Sequence, residues 1–135
     1  MKLREKLSRK LRKSKGFTLI EMLVVIAIIA ILVVVSVPMV NSSLEKAKTA
    51  TDNANLRAAK AAALIEYMTK EETAGATYYY NADTGSVKEV DDDIKGYNQK
   101  KQGSYEPGTA CVQVVIASDG TISEGGVTWV EDGVA

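Results

Sequence analysis

The sequence predicts an α+β protein: one long amino-terminal helix packed against a small antiparallel β-sheet. Three observations predict it. From Met22 to Val35 every side chain is apolar. From Leu44 to Met68, apolar and small residues recur at helical spacing. After Ala74-Gly75, short β-rich segments alternate with glycine and aspartate turns.

The chain begins on charge. Residues 1–16 hold Lys2, Arg4, Lys6, Arg9, Lys10, Arg12, Lys13 and Lys15 against Glu5 alone, so the formal net charge of +0 conceals a basic end and an acidic remainder. Leu3, Leu7 and Leu11 fall among these charges at a spacing that suits a short surface-lying helix. A basic run can contact nucleic acid, but this one lacks interleaved aromatics and adjoins an apolar span. No nucleic-acid partner is expected from it.

The span itself runs over residues 17–40, where only Thr18, Glu21 and Ser36 carry polar side chains. Its 24 positions rise roughly 36 Å as a helix, enough to cross a hydrocarbon core of ~30 Å. A helix is the open-ended structure that satisfies its own backbone there. Positive charge before such a span holds that end in the cytoplasm, so the remainder is expected to face outward. An ordinary secretory signal fits poorly: the run is too long, and Val35-Ser36-Val37-Pro38 is a poor small-x-small cleavage site.

Glu21 needs an explanation, because a carboxylate inside an apolar span is costly and usually marks function. One reading is a first-turn glutamate favoured by the helix dipole. The other is a carboxylate awaiting a positive partner. A cut between Gly16 and Phe17 would create an amine one helical turn away.

The string Gly16-Phe17-Thr18-Leu19-Ile20-Glu21, with a basic leader before it and an unbroken apolar helix after it, resembles the class III signal sequence of type IV prepilins. The resemblance covers about the first third of the chain and implies a pilin-like fold. It implies cleavage after Gly16 by a prepilin peptidase and N-methylation of the new Phe17 amine. It also implies that Glu21 pairs with the Phe17 amine of a neighbouring subunit as a filament assembles, driven by a cytoplasmic ATPase and a membrane platform protein. The leader is long for a prepilin, which fits some Gram-positive members. On this view residues 1–16 are a cleaved basic leader and 17–40 the transmembrane and assembly helix. Residues 41–72 continue that helix amphipathically, and 73–135 form the globular sheet region.

Pro38 removes the hydrogen bond its own N–H would make to the Val34 carbonyl and kinks the helix near the outer membrane surface. Related pilins carry a proline near this depth where the helix can melt, which implies a role for Pro38 in filament extension. Beyond it, Leu44, Ala47, Thr51, Ala54, Ala58, Ala61, Ile65 and Met68 form one continuous helical face. A second face, Leu56, Ala59, Ala63 and Tyr67, appears in the later half. A two-stranded coiled coil has one seam. Two faces suit a helix that packs on its own domain and on sibling helices. The helix is expected to end between Thr69 and Glu72.

The rest reads as strand and turn. Thr77–Asn81 and Ser86–Val90 flank a hairpin turn at Asp83-Thr84-Gly85, and 91–108 reads as a polar surface loop. Cys111–Ala117 is the strongest strand. Asp119-Gly120 turns the chain into Thr121–Ser123, and Gly125-Gly126 turns it into Val127–Val130. The sheet is expected to shield Leu56, Ile65 and Met68.

Most chemistry is excluded. The chain has no histidine, so Ser-His and Cys-His pairs and histidine metal sites are absent. Cys111 is alone, whereas many type IV pilins pin their last segment with a cysteine pair; what holds that segment here is open. Asp91-Asp92-Asp93 lacks the spaced oxygen ligands of a calcium loop. Tyr78, Tyr79, Tyr80, Tyr97, Tyr105 and Trp129 could line a sugar-binding platform, but at strand positions some must point inward.

No cofactor, metal or enzymatic activity is expected. The expected function is a structural subunit of a type IV pilus, a homopolymer serving motility or adhesion. The alternatives are a pseudopilin of a type II secretion system or a competence pilin, for which DNA becomes a partner. A monomeric membrane-anchored binding domain is a third.

Overall fold

The computed structural model describes Lys2 and residues 16–133, so the expected leader helix lies outside the described residues. Helix α1 spans Leu19–Thr69, followed by β1 (Ala76–Asn81), β2 (Ser86–Lys88), β3 (Ala110–Ile116) and β4 (Val127–Glu131). The strands form one antiparallel sheet in the order β2-β1-β3-β4. The chain divides into two compact units, residues 1–42 and 43–135, and α1 contributes to both.

In the first unit α1 stands bare. Every described side chain from Gly16 to Ser42 is exposed, including Ile26 at 58% and Val34 at 74%. The helix also continues through Pro38. One missing N–H costs one backbone bond, and a helix otherwise intact on both sides carries across it. Two residues earlier Ser36 Oγ donates to the Leu32 carbonyl at 2.6 Å, a back-bond that itself bends helices.

The second unit has a conventional core. Ala59, Ala63 and Tyr67 of α1 meet Tyr78 and Tyr80 of β1 and Val112, Val114 and Ile116 of β3. The pairs Tyr78↔Val114 and Tyr80↔Val112 set these residues side by side on one face. The two alanines leave space between helix and sheet, and the tyrosines fill it. Each large apolar side chain buried this way stabilises by about 1.5–3 kcal/mol.

The sheet takes the second helical face, so one expectation is corrected. Leu56 is partly covered, but Ile65 and Met68 remain 62% and 67% exposed. They lie on the first face, which also leaves Leu44, Thr51, Ala54 and Ala61 exposed. A helix resting on a sheet offers it one line of side chains, and the two faces point in nearly opposite directions.

Turn chemistry sets where the elements end. α1 ends in a Schellman motif: Glu72 N donates to the Tyr67 carbonyl, Glu71 N to the Met68 carbonyl, and Glu71 sits at φ 53°. The helix therefore stops on a left-handed glutamate, before the Gly75 signal is reached. The β1–β2 turn closes on Asn81, whose Oδ1 accepts Asp83 N at 2.9 Å while Gly85 adopts φ 69°.

β2 is shorter than expected, and Val90 beyond it is 55% exposed, so burial gives no reason to extend it. Thr121–Ser123 forms no strand. The Asp119-Gly120 turn closes, with Gly120 N on the Ala117 carbonyl and Ala117 N on the Thr121 carbonyl. β4 then pairs with β3 from Val114↔Val127 to Ala110↔Glu131. Just before it the Gly126 carbonyl takes Val115 N, the donor that Ser123 would need to continue the pairing begun by Thr121.

Candidate functional site

The residues singled out by the sequence gather at the start of α1. Gly16, Phe17 and Thr18 precede the helix in irregular backbone, and Phe17 is 80% exposed. A Cβ added at Gly16 would meet nothing within 4 Å, and its backbone is not in the left-handed region. Nothing in the fold asks for glycine there.

Thr18 and Glu21 make a reciprocal capping box. Thr18 N donates to Glu21 Oε2 at 3.0 Å, and Glu21 N donates to Thr18 Oγ1 at 3.3 Å. This satisfies two of the amide groups that every helix start leaves without partners. Glu21 Oε1 accepts no hydrogen bond among the described residues. A carboxylate offers about four acceptor sites, so Glu21 can cap its own helix and still receive an ammonium group.

Pro38 lies within α1, far along the chain from this cluster. Beside it, a shallow apolar groove of about 340 Å³ runs along the helix, lined by Leu32, Ser36, Val37 and Asn41 among others.

Sequence reasoning missed two polar residues that organise the second unit. Asp52 on α1 is 3% exposed. Its Oδ1 accepts Gln99 N at 2.7 Å, and its Oδ2 accepts Lys100 N at 3.0 Å and Gln102 Nε2 at 2.9 Å. Asn98, 1% exposed, donates to the carbonyls of Lys100 and Glu106 and accepts from Thr109 N and Ala110 N. The polar stretch 91–108 is thus a fixed strap with a buried Ile94 and Asn98. A signal for Asp52 exists in the sequence: it stands four residues before Leu56, on the line that continues through Ala59, Ala63 and Tyr67. Asn98 has none.

The last segment is held without a disulfide. Asp132 N donates to the Thr109 carbonyl, Asp132 Oδ2 accepts Gly96 N at 3.0 Å, and Gly133 N donates to the Ile94 carbonyl. A Cβ on Gly133 would collide with the Asp91 carbonyl, so glycine is needed for that approach. Cys111 is fully buried, and burial first, then the charges of Asp91 and Asp132, pushes its thiol up to about 11. It stays a neutral packing residue at physiological pH.

The aromatics build the core. Tyr97 Oη donates to the Tyr80 carbonyl and accepts Val112 N, both at 2.9 Å, a wedge in the β1–β3 ladder. Burial raises the Tyr97 phenol well above its ordinary value. Its ring meets Tyr80 and Trp129 edge to face at 6.1 and 5.6 Å.

Among families of known proteins, residues 11–37 match the prokaryotic N-terminal methylation motif, the class III signal peptide of type IV pilins. No curated protein and no solved structure matches the chain. The chain therefore carries a pilin-type methylation motif on a helix long and apolar enough to cross a membrane, and its α+β architecture is pilin-like.

Proposed function

We propose that this chain is the structural subunit of a type IV pilus, made as a prepilin and polymerised through α1. A prepilin peptidase cuts between Gly16 and Phe17 and methylates the freed amine. The basic leader keeps the amino end in the cytoplasm, and the remainder faces outward. The observation that carries this reading is the start of α1. A helix capped by Glu21, with one carboxylate oxygen to spare, leads into an apolar surface exposed on all sides.

Such a surface is untenable in water. In a bilayer, lipid solvates it, and packing on a sibling helix brings little hydrophobic gain. An unpaired Glu21 is disfavoured there, so the Phe17 ammonium of a neighbouring subunit decides docking. Once a subunit is pushed outward by the ATPase and platform protein, water becomes the alternative to packing. At about 1.5–3 kcal/mol per large side chain, the residues from Met22 to Val40 then hold each subunit by tens of kcal/mol. The role is structural, with no reaction assigned to any residue.

The test is Glu21→Ala. Processed protein, lacking residues 1–16 by mass, is expected to accumulate in the membrane while surface filaments disappear. Normal filaments from this variant would refute the charge-pair mechanism. Electron microscopy of the wild type separates long pili from the short filaments of a pseudopilin or competence pilin, and a persistently solitary protein would support a monomeric anchored domain.

A further inference from the structure

The second unit carries opposite charge on two different sides, and we infer that this is an interface between copies: the basic flank of α1 in one subunit seats against the acidic back of the sheet in the next. The inference rests on the self-assembly reading and names the surfaces through which the outward domains meet.

The basic side is a stripe on α1. Lys46, Asn53, Arg57 and Lys60 succeed one another at spacings of 7, 4 and 3, which brings them to one flank of the helix. All four are exposed. The ion pairs among the described residues engage Lys48, Lys70, Lys100 and Lys101, and none engages Lys46, Arg57 or Lys60. Beside the stripe lie the exposed Ala47, Ala50, Ala54 and Ala61, so nothing bulky prevents another surface from approaching.

The acidic side lies behind the sheet. Val112, Val114 and Ile116 point from β3 toward α1, so Cys111 points the other way. Asp132, one step beyond the Ala110↔Glu131 pair, falls on the Cys111 side by the same alternation. Its Oδ2 accepts Gly96 N, and Gly133 lies against the Asp91 carbonyl. This end of the strap therefore borders the far face, before residues 99–102 cross to Asp52. Asp92 and Asp93 extend the patch, tied to the chain end by the Asp92↔Gly133 bridge. Asp92 and Asp93 are exposed, and no described ion pair engages either of them. Of the strap's three cations, Lys95 stands nearest these aspartates in sequence, while Lys100 pairs with Glu45 and Lys101 with Glu106.

Charge complementarity identifies the occupant as a second copy. With the leader removed the protein is acidic overall, so copies repel on average, and the unpaired stripe is the exception. Because stripe and patch lie on different sides, one contact leaves each copy with a free patch of either sign. The contact is therefore heterologous and does not close on itself.

The test uses the full-length mature protein, prepared as an equal mixture of ¹⁴N- and ¹⁵N-labelled chains and treated with a carbodiimide. This reagent joins an amine directly to a carboxylate in contact with it. Mixed-label links from Lys46 or Lys60 to Asp91, Asp92 or Asp93 are expected. Raising salt to about 0.5 M should weaken them, since these charges are exposed. The variant Lys46→Glu/Arg57→Glu/Lys60→Glu should lose mixed links by about tenfold. Adding Asp92→Lys/Asp93→Lys to it should restore them with the chemistry reversed.

Filaments that form without these links overturn the inference and leave the pilus reading standing. Links in detergent-solubilised protein that never forms filaments support the inference and sink the pilus reading. Neither links nor filaments overturns both. Protection of Lys46 and Lys60 by anionic lipid vesicles, with no mixed links, assigns the stripe to a membrane surface and also overturns it.

Discussion

The two halves of α1 solve the problem of burial in opposite ways. Up to Ser42 the helix exposes large Ile, Leu and Val side chains all round. From Ser43 onward it seals alanines and a tyrosine under a sheet, and even its aspartate is satisfied. The first half has no internal solution, because a lone helix cannot cover itself; its stability belongs to lipid or to other copies. The second half owes its stability to the chain's own strap and strands. A single continuous helix thus couples a module that depends on its surroundings to one that does not.

Substitutions on the two sides of this divide should separate folding from assembly. The largest effect on folding is expected at Asp52. Asp52→Ala leaves three donors without their acceptor in a part-buried site, at a cost of about 3 kcal/mol. Faster hydrogen exchange at Gln99 and Lys100 should accompany a lower Tm, with the apolar half still inserting in membranes. Unchanged exchange at both amides would show that the strap holds without Asp52.

Next is a pair of identical changes on opposite helix faces. Ala63→Leu overpacks a sealed site and should destabilise by roughly 1–3 kcal/mol. Ala61→Leu, on the exposed face, should stay within about 0.5 kcal/mol in urea melts. Equal losses at both positions would erase the distinction between the faces.

The smallest effect sharpens the end of the helix. Glu71→Gly relieves a left-handed non-glycine cap and should stabilise by about 0.5–1 kcal/mol, read as a slightly higher Tm. A loss of stability instead would mean that the glutamate side chain contributes more than its backbone strain costs.

The strands illustrate how far local pattern reaches. Val112, Val114 and Ile116 alternate, and β3 forms as the alternation requires. Thr121-Ile122-Ser123 carries a similar propensity after a well-formed turn, yet β4 takes its place. Propensity describes a segment, whereas pairing is a competition for one edge. The two helical faces pose the same difficulty, since periodicity reveals both and says nothing of which one the sheet will choose. The methylation motif at residues 11–37 is legible because its meaning resides in a short string and the hydropathy on either side of it.

Sequence by itself determined the apolar helix, the methylation motif at residues 11–37, the position of Glu21, and the class of fold. Each follows from neighbours along the chain: side-chain polarity, helical rise and the spacing of a cap. Only the tertiary structure decided that Asp52 and Asn98 hold the strap, that Tyr97 wedges the sheet, and that Asp132 and Gly133 secure the last segment where no disulfide exists. Those are contacts between residues remote in sequence, and a hydrogen bond across such a distance is fixed by where the whole chain brings donor and acceptor together.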